Sequence, residues 1–173
     1  RQIGYTAVEL AGFGNLATAG EVRKALDDTG LSICSAHVGI ESLEGDLGKV
    51  IDDHRTLGNT RIVCPWLPES RRKNLAGWTD FTASLDRIAA ELTRQGFEFA
   101  YHNHSFEFDV VEGQTGLDII FGNTSPANMK AEIDVFWVKH GGEDPVAFIN
   151  RLGRRILLLH LKDMAPGADR KFA

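Results

Sequence analysis

Cysteine, long apolar runs and blocks of basic charge are all scarce in this chain of 173 residues. The two cysteines, Cys34 and Cys64, lie in strand-like stretches, so we expect buried free thiols rather than a disulfide framework. Such cysteine usage fits a reducing compartment, and we expect a cytoplasmic protein. Because no apolar run is long enough to span a bilayer and the first residues do not form a signal peptide, we expect no membrane partner.

Positive charge is sparse and dispersed. Lys and Arg number 19 against 24 Asp and Glu, which gives a net charge of −5. The densest basic cluster, Arg71-Arg72-Lys73, is too short to build the positive surface that nucleic-acid binding usually requires. We therefore expect a small-molecule substrate and no nucleic-acid partner.

Strand-like and helix-like stretches alternate along the chain. Apolar runs rich in β-branched and aromatic residues predict strands at 6–10, 31–37, 60–66, 97–104, 129–137 and 156–162. Caps, a 3.6-residue apolar period and closing glycines predict helices over 18–30, 47–57, 79–95 and 144–153, whereas 117–121 is too short to assign. This alternation predicts βαβ units and a parallel sheet covered on both faces.

Two architectures fit that pattern, a doubly wound sheet and most of a (β/α)8 barrel. The glycines in Ala11-Gly12-Phe13-Gly14, after the first strand, do not form a dinucleotide-binding fingerprint. Polar residues end several successive strands, which favours the barrel, because a barrel site draws on many strand ends. We expect residues 1–173 to form a single, incomplete barrel domain of about six βα units.

Three of the predicted strands end in metal-binding or acid–base side chains. They are FAYHNHSFEF at 99–108, KAEIDVFWV at 130–138 and ILLLHLKDM at 156–164. Their tip residues His102, Asp134 and His160 are 32 and 26 residues apart, enough for a helix and two loops between parallel strands. Imidazole and carboxylate are ligands for zinc or a harder divalent ion, so we predict that these three residues hold one metal.

The segment His102-Asn103-His104 is the densest polar cluster. Residues two apart on a strand share a face, so His102 and His104 should both point into the barrel while Asn103 points away. Glu107 lies beyond the strand end, where it could swing over the rim as a general acid or base. A solvated loop carboxylate is the alternative for Glu107.

Further strand-tip residues are candidates for binding substrate. Lys162 shares the face of His160 and could hold a substrate oxygen, unless it forms a salt bridge with Asp163 or with a neighbouring strand. His37 could equally be a core histidine. The predicted substrate-binding residues are Glu9, His37, His104, Trp66 and Trp137, with the two tryptophans as walls for a sugar ring.

These segments together resemble the sugar phosphate isomerase/epimerase superfamily, the xylose-isomerase-like TIM barrels related to endonuclease IV. The resemblance rests on Tyr-His-Asn-His-Ser-Phe-Glu-Phe, Glu-Ile-Asp-Val-Phe-Trp and His-Leu-Lys-Asp, and more weakly on Gly-Tyr-Thr-Ala-Val-Glu-Leu and Ser-Ala-His-Val. It implies one divalent ion (Mn, Zn, Mg or Co) held by Glu, Asp, His and Glu from the fifth to eighth strands. Asp134 and His160 match the middle two ligands, and either His102 or Glu107 replaces the first Glu.

The resemblance also implies that the first and eighth strands, with the last Glu ligand, fall outside this sequence. We expect the resulting open edges to be filled by a longer parent chain or by a second copy, that is, a homo-oligomer.

The expected function is a metal-dependent sugar isomerase or epimerase that moves a proton next to the carbonyl of a keto sugar. Glu107 or a histidine would move the proton, and Lys162 would assist. A lyase or hydratase of 3-keto-glycosides is the close rival, and a non-catalytic barrel fragment is the rival from another class. A DNA-repair nuclease is disfavoured because it needs several metals and a basic face.

Overall fold

A computed structural model describes residues 1–12, 17–167 and 171–172. Six strands form one parallel sheet in the order β1-β2-β3-β4-β7-β8. These strands are β1 (Ala7–Leu10), β2 (Ser32–His37), β3 (Arg61–Cys64), β4 (Glu98–His102), β7 (Met129–Asp134) and β8 (Ile156–His160). A short antiparallel pair, β5 (Val110–Val111) and β6 (Gln114–Thr115), lies apart from the sheet. The all-parallel order confirms the predicted βαβ organisation.

Helices connect successive strands of the sheet. They are α1 (Ala19–Thr29), α2 (Ile40–Gly45), α3 (Leu47–Leu57), α4 (Leu75–Arg94), α5 (Gly116–Gly122), α6 (Val135–His140) and α7 (Pro145–Leu152). The capping box predicted for α1 is present, because the side chains and backbones of Thr18 and Glu21 bond reciprocally. Short 3₁₀ turns span Glu69–Arg71, Phe106–Phe108 and Gly153–Arg155.

The sheet curls so strongly that its two edge strands meet at one end. The Nε2 atom of His160, at the tip of β8, lies 2.6 Å from the carboxylate of Glu9 in β1. The six strands therefore form an incomplete (β/α)8 barrel whose C-terminal rim is gathered into one cluster of side chains. That geometry confirms the predicted fold class.

The core that supports the rim lies between the sheet and helix α4. This helix of 20 residues turns its apolar stripe inwards at Trp78, Phe81, Leu85, Ile88, Ala89 and Leu92. The ring of Phe81 packs edge-on against Tyr101 of β4, with centroids 5.8 Å apart. Burying a large apolar side chain contributes about 1.5–3 kcal/mol. The packing holds β4 and its polar tip against a rigid layer.

Several element boundaries differ from the sequence-based expectation. The strand predicted over 129–137 ends at Asp134, where the Asp134 side chain accepts a hydrogen bond from the Trp137 amide and starts α6. Helix α4 begins four residues earlier than predicted, because the side chain of Asn74 caps it. Capping thus overrode apolar periodicity at both places.

Both cysteines are free thiols, but only Cys64 is buried, while Cys34 is half-buried. Burial of Cys64 raises its pKa to about 12. Among the described helices, none is long and apolar enough to cross a membrane.

Candidate active site

Four histidine and glutamate side chains converge at the C-terminal rim of the sheet. His37, His102 and His160 are the last residues of β2, β4 and β8, and Glu132 lies two residues before the end of β7. The C-terminal ends of parallel strands meet at one edge, which explains the convergence. One ligand atom from each of the four lies within 4.8 Å of the others.

Glu132 is the centre of this His/Glu cluster. Its Oε2 atom accepts a hydrogen bond from Nε2 of His37 at 2.7 Å and lies 3.0 Å from Nδ1 of His102. The same oxygen is 3.5 Å from Nε2 of His160. The Glu132 side chain is only 1% exposed. Three imidazoles therefore surround one buried carboxylate oxygen.

A second carboxylate, that of Glu9, lies on the more open side of the cluster. Its Oε2 accepts from Nε2 of His160 at 2.6 Å and lies 3.5 Å from Nε2 of His37. Its other oxygen accepts a hydrogen bond from the Ser35 hydroxyl at 2.5 Å. The Glu9 side chain remains 19% exposed, so it is accessible from the rim.

The electrostatics of the cluster stabilise charged forms. Burial alone would raise the pKa of Glu132, but hydrogen bonds from His102 and His37 hold that pKa well below its ordinary value. The nearby carboxylates of Asp134 and Glu9 raise the pKa of His160 to about 10. At neutral pH the Glu132 carboxylate is ionised and the His160 ring is protonated.

Asp134, a predicted metal ligand, lies next to the cluster. Its Oδ1 caps α6, and its Oδ2 is 3.8 Å from Nδ1 of His160 and 3.7 Å from Nζ of Lys162. Burial would raise the pKa of Asp134, but the His160 ring and the Trp137 amide lower it. The three predicted metal ligands, His102, Asp134 and His160, thus lie close together. Asp134 is on the far side of the His160 ring from Glu132.

Buried acceptor atoms without partners test whether a cation fits here. Within the described residues, Oε1 of Glu132 and Oδ2 of Asp134 are buried and accept no hydrogen bond. Ligands around one divalent ion, each roughly 2.0–2.3 Å from it, lie at most about 4.6 Å apart, close to the spread of the His/Glu cluster. Unsatisfied carboxylate oxygens beside three imidazoles fit a metal ion.

His104 and Trp137 form one wall beside the cluster. The His104 ring lies 5.0 Å from that of His102 and 5.3 Å from that of Trp137, centroid to centroid. Burial, with a smaller effect of His102, lowers the pKa of His104 to about 4, so this ring is neutral at pH 7. The wall combines a neutral imidazole with an aromatic face.

Asn103, expected to point away from the barrel, is fully buried and ties two strand ends together. Its Oδ1 accepts a hydrogen bond from the Asp134 amide at 3.0 Å, which joins the ends of β4 and β7. This bond sets the spacing between the residues that flank the cluster.

Glu107 does not extend over the rim as expected. It is fully buried, its Oε1 accepts from the Tyr101 hydroxyl at 2.7 Å and its Oε2 accepts from the His104 amide at 2.7 Å. Burial raises the pKa of Glu107 to about 7. Both carboxylate oxygens thus hold the segment after β4, and the acid–base role of Glu107 stays a prediction. The alternative prediction, that Glu107 is a loop carboxylate in water, is wrong because the residue is buried.

Lys162 pairs with Asp134, at the end of the neighbouring strand β7, rather than with Asp163. This is the salt bridge with a neighbouring strand that the sequence left open. The Lys162 ammonium also lies 4.0 Å from the ring centre of Phe172 and 5.4 Å from that of Trp137. An ammonium beside a carboxylate and two aromatic faces is positioned to contact a ligand oxygen at the rim.

Trp66 lies apart from the His/Glu cluster, and 46% of its surface is exposed. It lines a cavity of about 1070 Å³ that runs between the ends of β2 and β3 and helix α3. Of the four described cluster residues, His37 is the one that also lines this cavity. The cavity therefore opens from one side of the cluster.

Sequence reasoning missed Glu132 as a site residue. The alternation of side chains along a strand could have identified it, because Glu132 and Asp134 lie two residues apart on β7 and therefore share a face. An ionisable residue inside the apolar run KAEID was a further sign, because a buried carboxylate requires a partner.

The sequence model of the family described as xylose isomerase-like TIM barrel matches residues 1–172. A sugar phosphate isomerase/epimerase from Parabacteroides distasonis ATCC 8503 is 28% identical, and its crystal structure superposes with a TM-score of 0.83, covering 94% of this chain and 66% of that one. These matches cover almost the whole chain.

Two dehydratases are also similar. Inosose dehydratase of Geobacillus kaustophilus is 25% identical over 189 residues, covering 94% of this chain. The chain spans only 59% of that relative's length. The structure of a probable 3-DHS dehydratase from Bacillus anthracis shares the fold, with a TM-score of 0.70 at 15% identity, over 95% of this chain and 65% of that one.

Proposed function

Since this chain belongs to the xylose isomerase-like TIM barrel family, we propose that it binds one divalent metal ion and catalyses proton transfer next to the carbonyl of a keto sugar. Isomerisation or epimerisation is the leading reaction. The observation that carries the proposal is the convergence of His37, His102, Glu132 and His160 around a buried carboxylate with an unsatisfied oxygen.

These four residues would hold the ion, and their nitrogen and oxygen donors suit Mn, Zn, Mg or Co. When bound, such an ion supplies a Lewis acid that polarises a carbonyl and the hydroxyl beside it. Asp134 supports this arrangement from behind, because its Oδ2 faces Nδ1 of His160 and orients the ring. Direct ligation by Asp134 remains a prediction from the sequence.

Glu9 is our candidate for the group that takes the proton from the substrate carbon. Its carboxylate lies on the open side of the cluster, between His37 and His160, and is partly exposed. Proton transfer by a positioned carboxylate typically contributes about 10²–10⁴-fold to the rate. Lys162 would donate to the substrate oxygen on which negative charge develops.

The wall of His104 and Trp137 would contact the substrate ring. Neutral His104 can exchange hydrogen bonds with hydroxyls, and the indole face of Trp137 provides apolar contact. The cavity beside His37 and Trp66 offers room for the remainder of a larger substrate. Glu107 would act indirectly, by fixing the backbone of His104.

Dehydration is the second candidate, favoured by the similarity to inosose dehydratase. Elimination of water begins with the same removal of a proton next to a carbonyl. It then requires a proton donor for the departing hydroxyl, a role for which Lys162 is placed. The two reactions differ in the product rather than in the first step.

The test is proton exchange with solvent, a step that both reactions share. The chain is loaded with Mn²⁺ and incubated in D₂O with D-fructose or with inosose, and NMR follows the proton next to the carbonyl. We expect exchange that is lost in Glu9→Gln and kept in Glu98→Gln, which alters an exposed carboxylate at the opposite end of β4. An isomeric product indicates isomerisation or epimerisation, and a product lighter by one water indicates dehydration. Absence of exchange in chain that has bound metal would contradict the proposal.

A further inference from the structure

We propose that Ser35 is a positioning residue, whose hydroxyl holds the Glu9 carboxylate in the orientation that faces the His/Glu cluster. The inference rests on the proposed function, in which Glu9 takes the proton from the substrate carbon. Ser35 is only 1% exposed, so it would act through Glu9 rather than contact the substrate.

The contact between Ser35 and Glu9 is a short hydrogen bond to a carboxylate. The Ser35 hydroxyl donates to Oε1 of Glu9 at 2.5 Å, a length typical of a charge-assisted O–H···O⁻ bond. Such bonds are roughly twice as strong as those between neutral groups. The other oxygen of Glu9, Oε2, lies 2.6 Å from Nε2 of His160. The bond to Ser35 thus fixes which carboxylate oxygen is directed at the imidazoles.

The hydroxyl proton of Ser35 is committed to Glu9. A serine hydroxyl donates one proton, and an ionised carboxylate is an acceptor only. Among the described contacts of the hydroxyl, the other is with Sγ of Cys34 at 3.5 Å, and a thiol sulfur is a weak acceptor. The carboxylate therefore prevails as the acceptor, and the hydroxyl is held for Glu9.

The register of the sheet is shifted so that Ser35 lies beside Glu9. Val8 of β1 is paired with Ile33 of β2, but the next residue, Glu9, is paired with Ser35. Cys34 is therefore an extra residue of β2 at this point. Because side chains alternate along a strand, an unshifted register would place Cys34 opposite Glu9 and turn Ser35 to the other face. The contact with Glu9 depends on this irregularity of β2.

A second register shift precedes Glu132, the carboxylate at the centre of the cluster. Ala131 of β7 is paired with Ile156 of β8, and the next residue, Glu132, is paired with Leu158. Bulges that shift the register are over-represented beside active sites, where they re-aim side chains. Two such shifts, each directly before a carboxylate at the rim, indicate that the register serves the placement of these groups.

Glu9 needs a fixed partner because burial alone does not hold its side chain. The side chain is 19% exposed and has several rotatable bonds. Without the Ser35 hydroxyl, the carboxylate would sample other rotamers, and its distance from the substrate carbon would vary. A misplacement of about 1 Å can lower a rate about 10²-fold. Loss of the hydroxyl should therefore affect proton transfer more than it affects binding of the substrate.

The kinetic test compares two serines of β2. Ser35→Ala removes the donor to Glu9, whereas Ser32→Ala, the matched control, removes an exposed hydroxyl that donates to the carbonyl oxygen of Thr6. Proton exchange in D₂O is measured with Mn²⁺-loaded chain over a range of D-fructose or inosose concentrations. We expect Ser35→Ala to lower kcat roughly ten- to a hundredfold with little change in KM, and Ser32→Ala to leave both unchanged. Ser35→Thr keeps the hydroxyl and should restore most of kcat.

The spectroscopic test does not require turnover. The chain is labelled with ¹³C at the glutamate Cδ atoms and loaded with diamagnetic Zn²⁺, and Glu9→Gln identifies the Glu9 signal. We expect Ser35→Ala to shift this signal and Ser32→Ala to leave it in place. A wild type without proton exchange would count against the proposed function, and the Glu9 signal would still show whether Ser35 orients the carboxylate.

Thermal unfolding of each variant separates positioning from a purely structural role. A structural role predicts a lower melting temperature for Ser35→Ala, with kcat and the Glu9 signal unchanged. An unshifted Glu9 signal in Ser35→Ala would overturn the inference. Equal kcat values in Ser35→Ala and Ser32→Ala would do the same, as would a stably folded Ser35→Thr variant with the low kcat of Ser35→Ala.

Discussion

A carboxylate as deeply buried as Glu132 would ordinarily destabilise the fold, since the effective penalty for burying an ion is several kcal/mol. Three imidazoles compensate for this, and two of them lie within 3.0 Å of its Oε2. The arrangement concentrates donors and charge at one point of the rim. The proposed binding of a cation would give these groups a common partner and would account for a cluster that a purely structural core would not need.

His54 should make the stability of the fold depend on pH. Its ring is 2% exposed, and its Nδ1 accepts a hydrogen bond from Nδ2 of Asn59 at 3.0 Å, which only an unprotonated nitrogen can do. Burial lowers the pKa of His54 to about 4, below the unfolded value of 6.5. The unfolded chain therefore binds more protons between these values, and stability is lost as the pH falls from 6.5 to 4. We expect a loss of about 1–3 kcal/mol from this group.

Urea unfolding of wild type and His54→Gln at pH 7.5 and pH 4.5 measures this effect. Glutamine can still accept from Asn59 but does not titrate, so the variant should lose less stability on acidification. All other titrating groups are the same in the two proteins, so the difference between their losses of stability reports on His54. Equal losses in the two proteins would show that His54 is not the source.

The sequence was informative at the residue scale where a side chain ends a strand. His37, His102 and His160 occupy such positions, and the structure brings them together. Glu107 could not be placed, because its burial depends on Tyr101 and on the path of the chain after β4. Which strand residue faces inwards also depends on register, and for that reason Glu132 was overlooked in favour of Asp134.

Among the helices, the first turns of α4 and α1 each contain a glycine, and the two differ in the space that a Cβ atom would have. Gly77, in the first turn of α4, would place a Cβ only 2.2 Å from the carbonyl oxygen of Arg71. Gly20, in the first turn of α1, has its nearest neighbour 4.0 Å away. We expect Gly77→Ala to destabilise the fold by about 1–3 kcal/mol through overpacking. Gly20→Ala should stabilise it by about 0.5–1 kcal/mol, because alanine restricts the unfolded chain and favours helix.

Thermal unfolding of the two alanine variants provides the comparison. Both variants replace glycine by alanine in the first turn of a helix, yet Gly77→Ala should lower the melting temperature and Gly20→Ala should raise it. A shift of the same sign in both variants would show that the contact between Gly77 and Arg71 does not constrain the start of α4.

Element type was predictable from periodicity, but element ends were not. The spacing of apolar residues identified the six strands and the helices α1, α3, α4 and α7, because burial of one face dominates the energetics of these elements. The end of β7 depended on one hydrogen bond between Asp134 and Trp137, and the start of α4 on the side chain of Asn74. Such local bonds are worth about 1 kcal/mol each and do not show in an apolar pattern.

For the molecule as a whole, the open edges of the sheet are the main liability. Among the described strands, β1 and β8 each pair on one side only. Leu161, directly after β8, is 83% exposed and Ile3, shortly before β1, is 84% exposed. Unpaired backbone groups beside apolar side chains promote pairing with another chain, so we expect the 173-residue chain to self-associate.

Light scattering after size-exclusion chromatography, over a range of concentrations, measures that association. Leu161→Lys should reduce it, because a lysine beside the edge opposes pairing. Val146→Lys, at an exposed position of α7, is the matched control and should leave it unchanged. A monodisperse monomer at every concentration would contradict this prediction.

Binding of a divalent ion by the His/Glu cluster of the whole, folded chain is the central requirement of the proposed function. Calorimetric titration of chelator-treated chain with Mn²⁺ or Zn²⁺ measures this most directly. We expect saturable binding of about one ion per chain, weakened at least tenfold in Glu132→Gln and unchanged in Glu98→Gln. Absence of saturable binding by the wild type, or equal affinities in the two variants, would contradict the account.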